Sequence, residues 1–382
     1  MIQYSFFTNY LNHHQALMAE ALWEQTGHEY CFVATTPMPD FRKKLGYSQF
    51  DDKPYLLKAY DNPEGLQKAM FLAKNADVAL FGGGHSLSFQ IERMRLGKLS
   101  FEVSERWLKR GWLNLLSPRL LKNMWYYHTL FHSKPIYKLC ASAYAAKDQY
   151  RLHSFKDRCY KWGYFTKVED FDVQAHVDSK PDTSVSLMWC ARFLDWKHPE
   201  LVIKLARKLK DNGNHFTIDM FGSGVELDKI KKLCQRMDVE DMIAFKGNKP
   251  NDEILAEMRK HDIFLFTSDR NEGWGAVLNE AMSNGCAVVA SHEIGSVPFL
   301  VKDGDNGMVF KSKSIDSLYE KVFFLIEHPK ERKRMAINAF HTMKDEWSPE
   351  VAARNLLTLI DDLQHGRDTS IKEGPCSKAY PI

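Results

Sequence analysis

The sequence predicts an α/β protein built from two doubly wound units. Three observations carry this reading. Short apolar runs alternate with amphipathic helical patterns along most of the chain, the signature of a parallel sheet with helical crossovers. The alternation stops in a polar, acidic stretch at 169–183 and then starts afresh. And 382 residues are too many for one core of ordinary size.

In the first unit, taken as 1–168, residues 2–8 read as a strand. Residues 14–25 read as a helix with Ala16, Leu17, Ala19, Ala21 and Leu22 on one face. Gly27 closes that helix, and 30–34 is the next strand. A third apolar run, 77–81, ends in Gly82-Gly83-Gly84-His85, and 139–143 and 159–165 follow as later strands. Residues 169–183, with Pro181, form the expected linker. The second unit, 184–348, has strands at 184–190, 216–221, 243–246, 263–266 and 287–291, separated by helical patterns. A last helix at 349–366 is expected to return to the first unit. The tail, 367–382, is polar and aperiodic, and is expected to be disordered.

Bulk properties exclude several classes. A net charge of +3 does not make the whole chain a nucleic-acid binder, and no nucleic-acid recognition motif is present. Seven cysteines without a CxxC pair argue against structural zinc or a disulfide framework, and for a reducing compartment. The N-terminus lacks the basic head and long apolar run of a signal peptide, and no run of ~18 apolar residues offers a span. The expectation is a cytoplasmic protein, peripheral to the inner face of a membrane if it meets one.

The chemistry concentrates in the second unit. The apolar run 261–267 leads straight into Glu272-Gly273-Trp274-Gly275, so Glu272 sits at the mouth of a strand. Glu280 falls in the helix that follows, about two turns down. Gly273 and Gly275 leave bare backbone at the helix N-terminus, which suits an anion such as a phosphate. After the strand 184–190 come Arg192 and Lys197: a planar fork and a point charge on one loop. Gly222-Ser223-Gly224 follows the strand 216–221, where glycines permit either close ligand approach or a plain tight turn. Two Asp-x-Asp strings, Asp170-Phe171-Asp172 and Asp303-Gly304-Asp305, lie in the linker and in a turn. Close acids are common by chance, and no metal is assigned to them.

Four segments together resemble the retaining glycosyltransferases of the GT-B fold, family four: 272–282, 191–197, 221–224 and the Asp303-Gly304-Asp305-Asn306-Gly307 turn. The resemblance spans 184–310. It implies two Rossmann-like domains facing a central cleft. It also implies metal-independent transfer of a sugar, from a UDP- or GDP-sugar, to a glycan or lipid-linked acceptor in polysaccharide assembly. The nucleotide sugar would be a co-substrate, with no further cofactor. By resemblance, Arg192 and Lys197 grip the diphosphate, Glu280 accepts both ribose hydroxyls, and Glu272 addresses the donor sugar. The backbone of Gly273, Trp274 and Gly275 would meet sugar or phosphate. Gly222 and Gly224 would lie near the nucleotide, and Asn248 near the base. A nucleotide-sugar hydrolase or epimerase of the same fold, or a binding protein without turnover, are the alternatives.

The first unit matches the family only in outline. Its first loop, 9–14, lacks the usual glycine pair, and 101–107 lacks the usual histidine. His13, His14, His85 and Glu105 are the candidates there for the donor-sugar or acceptor side. Residues 93–138 carry ten basic residues against two acids, with tryptophan, tyrosine and leucine interleaved. Such a mixture suits an anionic membrane surface, and equally a solvated basic face over a buried aromatic core.

Overall fold

A computed structural model describes residues 3–40, 50–83, 85–109, 111–182 and 184–382 of the chain; Ile2, Gly84, Arg110 and Thr183, used in the sequence reading, lie outside the described residues. The chain divides into two units. One comprises Met1–Thr166 with Glu346–Ile382, and the other is Lys167–Asp345.

The first unit holds a seven-stranded parallel sheet. Its strands are β1 (Tyr4–Thr8), β2 (Tyr30–Ala34), β3 (Leu56–Lys58), β4 (Val78–Gly82), β5 (Ser100–Ser104), β6 (Ile136–Cys140) and β7 (Cys159–Lys161), in the order β3-β2-β1-β4-β5-β6-β7. The second unit holds β8 (Val185–Cys190), β9 (Phe216–Phe221), β10 (Ile243–Gly247), β11 (Ile263–Phe266), β12 (Ala287–Ser291) and β13 (Met308–Phe310). Their order is β10-β9-β8-β11-β12-β13, again parallel. Helices cover both faces of such sheets, so central strands read as unbroken apolar runs. β4, β11 and β12 are buried at every residue.

Each sheet reverses its strand order once, between β1 and β4 and between β8 and β11. Ligands of open α/β sheets bind at the carboxyl ends of strands flanking that reversal. The loops carrying His13 and His85 follow β1 and β4; those carrying Arg192 and Glu272 follow β8 and β11. The helix Pro199–Asp211 shows how the sequence builds the frame. Proline sits in its first turn, Glu200 beside it, and Lys208 and Lys210 in the last turn, each matching the helix dipole. Leu201, Val202, Leu205 and Leu209 are buried in the second core. Each contributes roughly 1.5–3 kcal/mol by leaving water.

Three expectations need correction. The 169–183 stretch is no free linker. It carries the helix Val173–Asp178, whose Val173 and Val177 enter the second core. Lys180 donates to the carbonyls of His261 (2.7 Å) and Gly285 (2.9 Å), tying the stretch to the second unit. The chain leaves that unit at Asp345, ahead of the last helix, Pro349–Gln364, which packs with the helix His13–Gln25.

The tail is not disordered. Residues 376–379 lie beside β7: Cys376 N–H donates to Lys161 (2.7 Å), Lys161 N–H to Ser377 (2.8 Å) and Ala379 N–H to Cys159 (3.0 Å). Cys376, Ser377 and Ala379 are buried. Periodicity missed this segment because backbone bonds hold it, and those need no side-chain pattern. It also covers a sheet edge that would otherwise present unpaired amides.

Part of the basic region is core. Arg93 is fully buried and donates to the carbonyls of Ala73, Ala76, Asp77 and Leu99 at 2.7–3.1 Å. Burial lowers its pKa to about 10. Lys138 is buried against Glu102, and Arg106 pairs with the buried Asp148 at 3.2 Å.

Ending the chain after Gly366 should cost about 3 kcal/mol, from three backbone bonds at ~1 kcal/mol each. Urea denaturation should show the loss, and light scattering should show association through the uncovered β7 edge. Unchanged stability would refute the packing of this tail.

Candidate active site

The loop after β8 and the loop after β11 are joined through one hydroxyl. Trp189 Nε1–H of β8 donates to Thr267 Oγ1 (2.9 Å), and that hydroxyl donates to the Lys197 carbonyl (2.6 Å). Asp269 N–H donates to the Trp196 carbonyl at 3.0 Å. The Lys197 ammonium is thereby held against the Glu272 carboxylate, to which it donates a hydrogen bond. It lies 4.3 Å from the centroid of the Trp196 ring. Ser268 Oγ donates to the same carboxylate oxygen, Oε2, at 3.1 Å. Among the described residues Oε1 of Glu272 receives no hydrogen bond, and stays available as an acceptor. Arg192 on the same loop is exposed and forms no ion pair among the described residues.

Gly222 and Gly224 have a reason in packing. A Cβ on Gly222 (φ 126°) would collide with the Ala191 carbonyl, and one on Gly224 (φ 155°) with the Phe193 backbone. Phe193 N–H donates to the Ser223 carbonyl at 2.9 Å. The glycines therefore let the β9 loop press against the β8 loop that carries Arg192 and Lys197. Asn248, after β10, donates to Ser223 Oγ at 2.8 Å and extends the same edge.

Gly275 takes φ 86°, and a Cβ there would collide with the Phe266 ring. Trp274 is a buried anchor whose Nε1–H donates to Asn279 at 2.9 Å; its ring is core, and only its backbone remains a candidate for contact. The helix that follows is Val277–Ser283, so Glu280 stands in its first turn rather than two turns down. Seven residues make a weak dipole, and Arg192 and Lys197 are the larger positive charges here.

Glu280 is buried, and burial pushes its carboxyl up to about 7 from an ordinary 4.5, opposed by the Asn251 side chain. The sequence did not single out Asn251, nor a supporting cluster below the loop. There, Asp269 accepts from Asn271 N–H (3.0 Å) and pairs with Lys313 (3.2 Å) and His198 (3.4 Å). Burial would raise the Asp269 carboxyl, but the Asn271, Lys313 and His198 bonds outweigh it and hold it below the usual range. Burial would lower the His198 imidazole, but Glu200 and Asp269 carry it upward. His198 takes a left-handed φ of 50°, which bends the chain from the Lys197 turn into the next helix.

Both Asp-x-Asp strings are engaged in structure. Asp172 caps a helix by accepting from Ala175 N–H at 2.9 Å, and Asp170 pairs with Lys344 at 2.6 Å. Asp303 accepts from Val309 N–H at 2.8 Å, and Asp305 pairs with Arg334 at 3.4 Å. Elsewhere in this unit Asp219, Glu257 and His261 bring three ligand-type atoms within 4.8 Å of one another; Lys246 sits 3.2 Å from Asp219 and supplies the positive charge.

In the first unit, His13 and His14 open the first helix with ring centroids 3.8 Å apart, and Asn12 caps it by accepting from His14 N–H at 3.0 Å. Glu105 accepts from Tyr164 O–H at 2.8 Å, and the Tyr164 ring stacks near His14 at 6.2 Å. His13, His14 and Glu105 thus share one cluster through Tyr164, which the sequence reading missed. His85 is exposed and takes no place in it. A cavity of about 90 Å³ lies between Tyr10, Pro37, Met38 and Tyr60, beside the loop after β1.

Residues 171–342 match the family model for glycosyl transferases group 1. An uncharacterized glycosyltransferase of Methanocaldococcus jannaschii is 27% identical over 198 residues, 52% of this chain and 50% of that one. A putative colanic acid biosynthesis glycosyltransferase of Salmonella typhimurium is 25% identical over 190 residues, 48% of this chain and 46% of that one. The chain spans about half the length of these curated relatives. Anabaena HepE, solved with UDP and glucose, superposes with a TM-score of 0.65 at 15% identity, covering 94% of this chain and all of that one. Over residues 171–342 the second unit is therefore similar to the group 1 glycosyl transferases, and the chain has the GT-B fold.

The buried Glu280 makes stability depend on pH. Between pH 4.5 and about 7 the folded chain keeps a proton that the unfolded chain releases, so stability falls as pH rises through that window. The gap corresponds to at most roughly 3 kcal/mol. Glu280→Gln removes this term, so its melting temperature relative to wild type should be higher at pH 8 than at pH 5. A pH-independent difference would contradict it.

Proposed function

We propose that this chain is a retaining glycosyltransferase that moves a sugar from a nucleoside-diphosphate sugar, carrying uracil or guanine, to a glycan or lipid-linked acceptor in cytoplasmic polysaccharide assembly. The observation that carries the proposal is the set of groups on the β8 and β11 loops: the Lys197–Glu272 pair, with Arg192 on the Lys197 loop exposed and without an ion pair among the described residues. The match of this unit to the group 1 model, and relatives that include a putative colanic acid biosynthesis glycosyltransferase, support it.

The division of labour follows from charge. The bond that breaks joins the anomeric carbon to a diphosphate oxygen, and negative charge gathers on that oxygen. Arg192 offers two parallel donors to phosphate, and Lys197 has N–H bonds beyond the one given to Glu272. Two cations supply the stabilisation a divalent ion would otherwise give, so the reading needs no metal. Glu272 presents Oε1 to a sugar hydroxyl while Oε2 stays on Lys197 and Ser268. Glu280, once ionised, accepts both ribose hydroxyls. The acceptor hydroxyl attacks the face the diphosphate leaves, forms the new glycosidic bond, and passes its proton to the departing phosphate oxygen. His13, His14 and Glu105 are assigned to the acceptor side on loop position alone.

Calorimetry with UDP, GDP and their sugars tests the assignment. Arg192→Ala should weaken nucleoside-diphosphate binding on the order of 10–100-fold, the value of a charge-assisted bond. Glu272→Gln frees Lys197, so it should bind the diphosphate at least as tightly as wild type while losing transfer by about 100-fold or more. Normal binding by Arg192→Ala would sink the donor site. Release of free sugar at the full rate without acceptor would replace transfer with hydrolysis. Turnover that disappears on chelation and returns with a divalent ion would overturn the metal-free mechanism.

A further inference from the structure

The connection between β5 and β6 carries an exposed face that the reaction does not use. It runs through 105–135 and includes the helix Pro118–Met124. Its inner side is anchored: Leu108 and Leu120 are buried with Leu152, and Tyr127 O–H donates to Gln90 at 2.7 Å. Its outer side shows Trp112, Leu113, Leu116, Leu121, Trp125 and Leu130, of which Leu116 is 81% and Leu113 70% exposed. Among the described residues these are six of the fourteen large exposed hydrophobic side chains, gathered within 112–130. Scattered exposed leucines need no explanation; a run of them with two tryptophans does.

Charge selects the occupant. No carboxylate occurs from 106 to 147. Arg119 and Lys122 are exposed and form no ion pair among the described residues. A second copy docked on the same face would set these cations against their own equivalents, since a two-fold interface pairs a patch with itself. A bilayer with anionic headgroups meets both features: leucines enter the acyl boundary, tryptophans sit at headgroup level, and the cations pair with phosphates. No described helix is long and apolar enough to cross a membrane, so the contact is peripheral.

We propose that the 105–135 connection docks the chain on an anionic lipid bilayer. It departs from the carboxyl end of β5, the edge of the first sheet from which Glu105 also rises. Docking there brings that edge to the headgroup layer, which favours an acceptor embedded in the membrane.

Flotation of the full chain tests this, using phosphatidylcholine vesicles with and without phosphatidylglycerol. Wild type should float with the anionic vesicles and remain below with the neutral ones. The double variant Arg119→Glu/Lys122→Glu should partition on the order of 30-fold more weakly, from two lost attractions alone. Leu116→Ser should also bind less, and brominated lipid should quench wild-type tryptophan emission. An unchanged melting temperature and unchanged nucleotide affinity of the variants show that folding and the donor site are untouched, whichever way the donor reading falls. Wild type that ignores anionic vesicles, or charge reversal without effect, would overturn the proposal. A wild-type dimer that Leu116→Ser dissociates would assign the face to a second copy instead.

Discussion

The charged loops of the second unit rest on two places where backbone touches backbone. Gly222 and Gly224 let the β9 loop lie directly on the carbonyls of Ala191 and Phe193. Any side chain at either position would push the β8 loop away, and Arg192 and Lys197 travel on that loop. The Thr267 hydroxyl then fixes the other side, between Trp189 and the Lys197 carbonyl. Three small or polar residues, none of them charged, thus set where the charges stand.

The two glutamates of the site occupy opposite environments. Glu272 is paired, so its charge is already compensated. Glu280 is buried and forms no ion pair among the described residues, and its carboxyl is carried up to about 7. A buried acid without a counter-charge lowers stability, and such a cost marks a functional position more often than a structural one. The same contrast separates the cations: Lys197 is tucked against Glu272, while Arg192 is open to solvent.

Much of this was legible in the sequence. β11 and the first four residues of β12 are unbroken apolar runs, and polar and acidic residues follow each: Thr267-Ser268-Asp269 after β11 and Ser291-His292-Glu293 at the end of β12. The Glu272–Glu280 element and the Arg192–Lys197 turn stood out because charge follows a buried strand without a break. What could not be read was burial of charge. Arg93 and Lys138 look like members of a basic surface; their partners are backbone carbonyls up to twenty residues away in one case and Glu102 in the other. Spacing does not reveal such pairs. Asn251, Asp269 and Lys313 reach the site from separate elements and share no local pattern. Tyr164 joins His14 to Glu105 from a segment far along the chain. The tail escaped for the opposite reason: its order comes from amides, which every sequence has.

The returning tail also sets an order of assembly. The second unit is one continuous stretch, Lys167–Asp345, whereas the first is built from two segments, Met1–Thr166 and Glu346–Ile382. On the ribosome, the second unit can close while the first still lacks its last helix and the cover of its β7 edge. Synthesis from the N-terminus ordinarily completes N-terminal domains first. Here that sequence is inverted, and the nascent first unit waits, with one sheet edge open, for residues 376–379 to emerge.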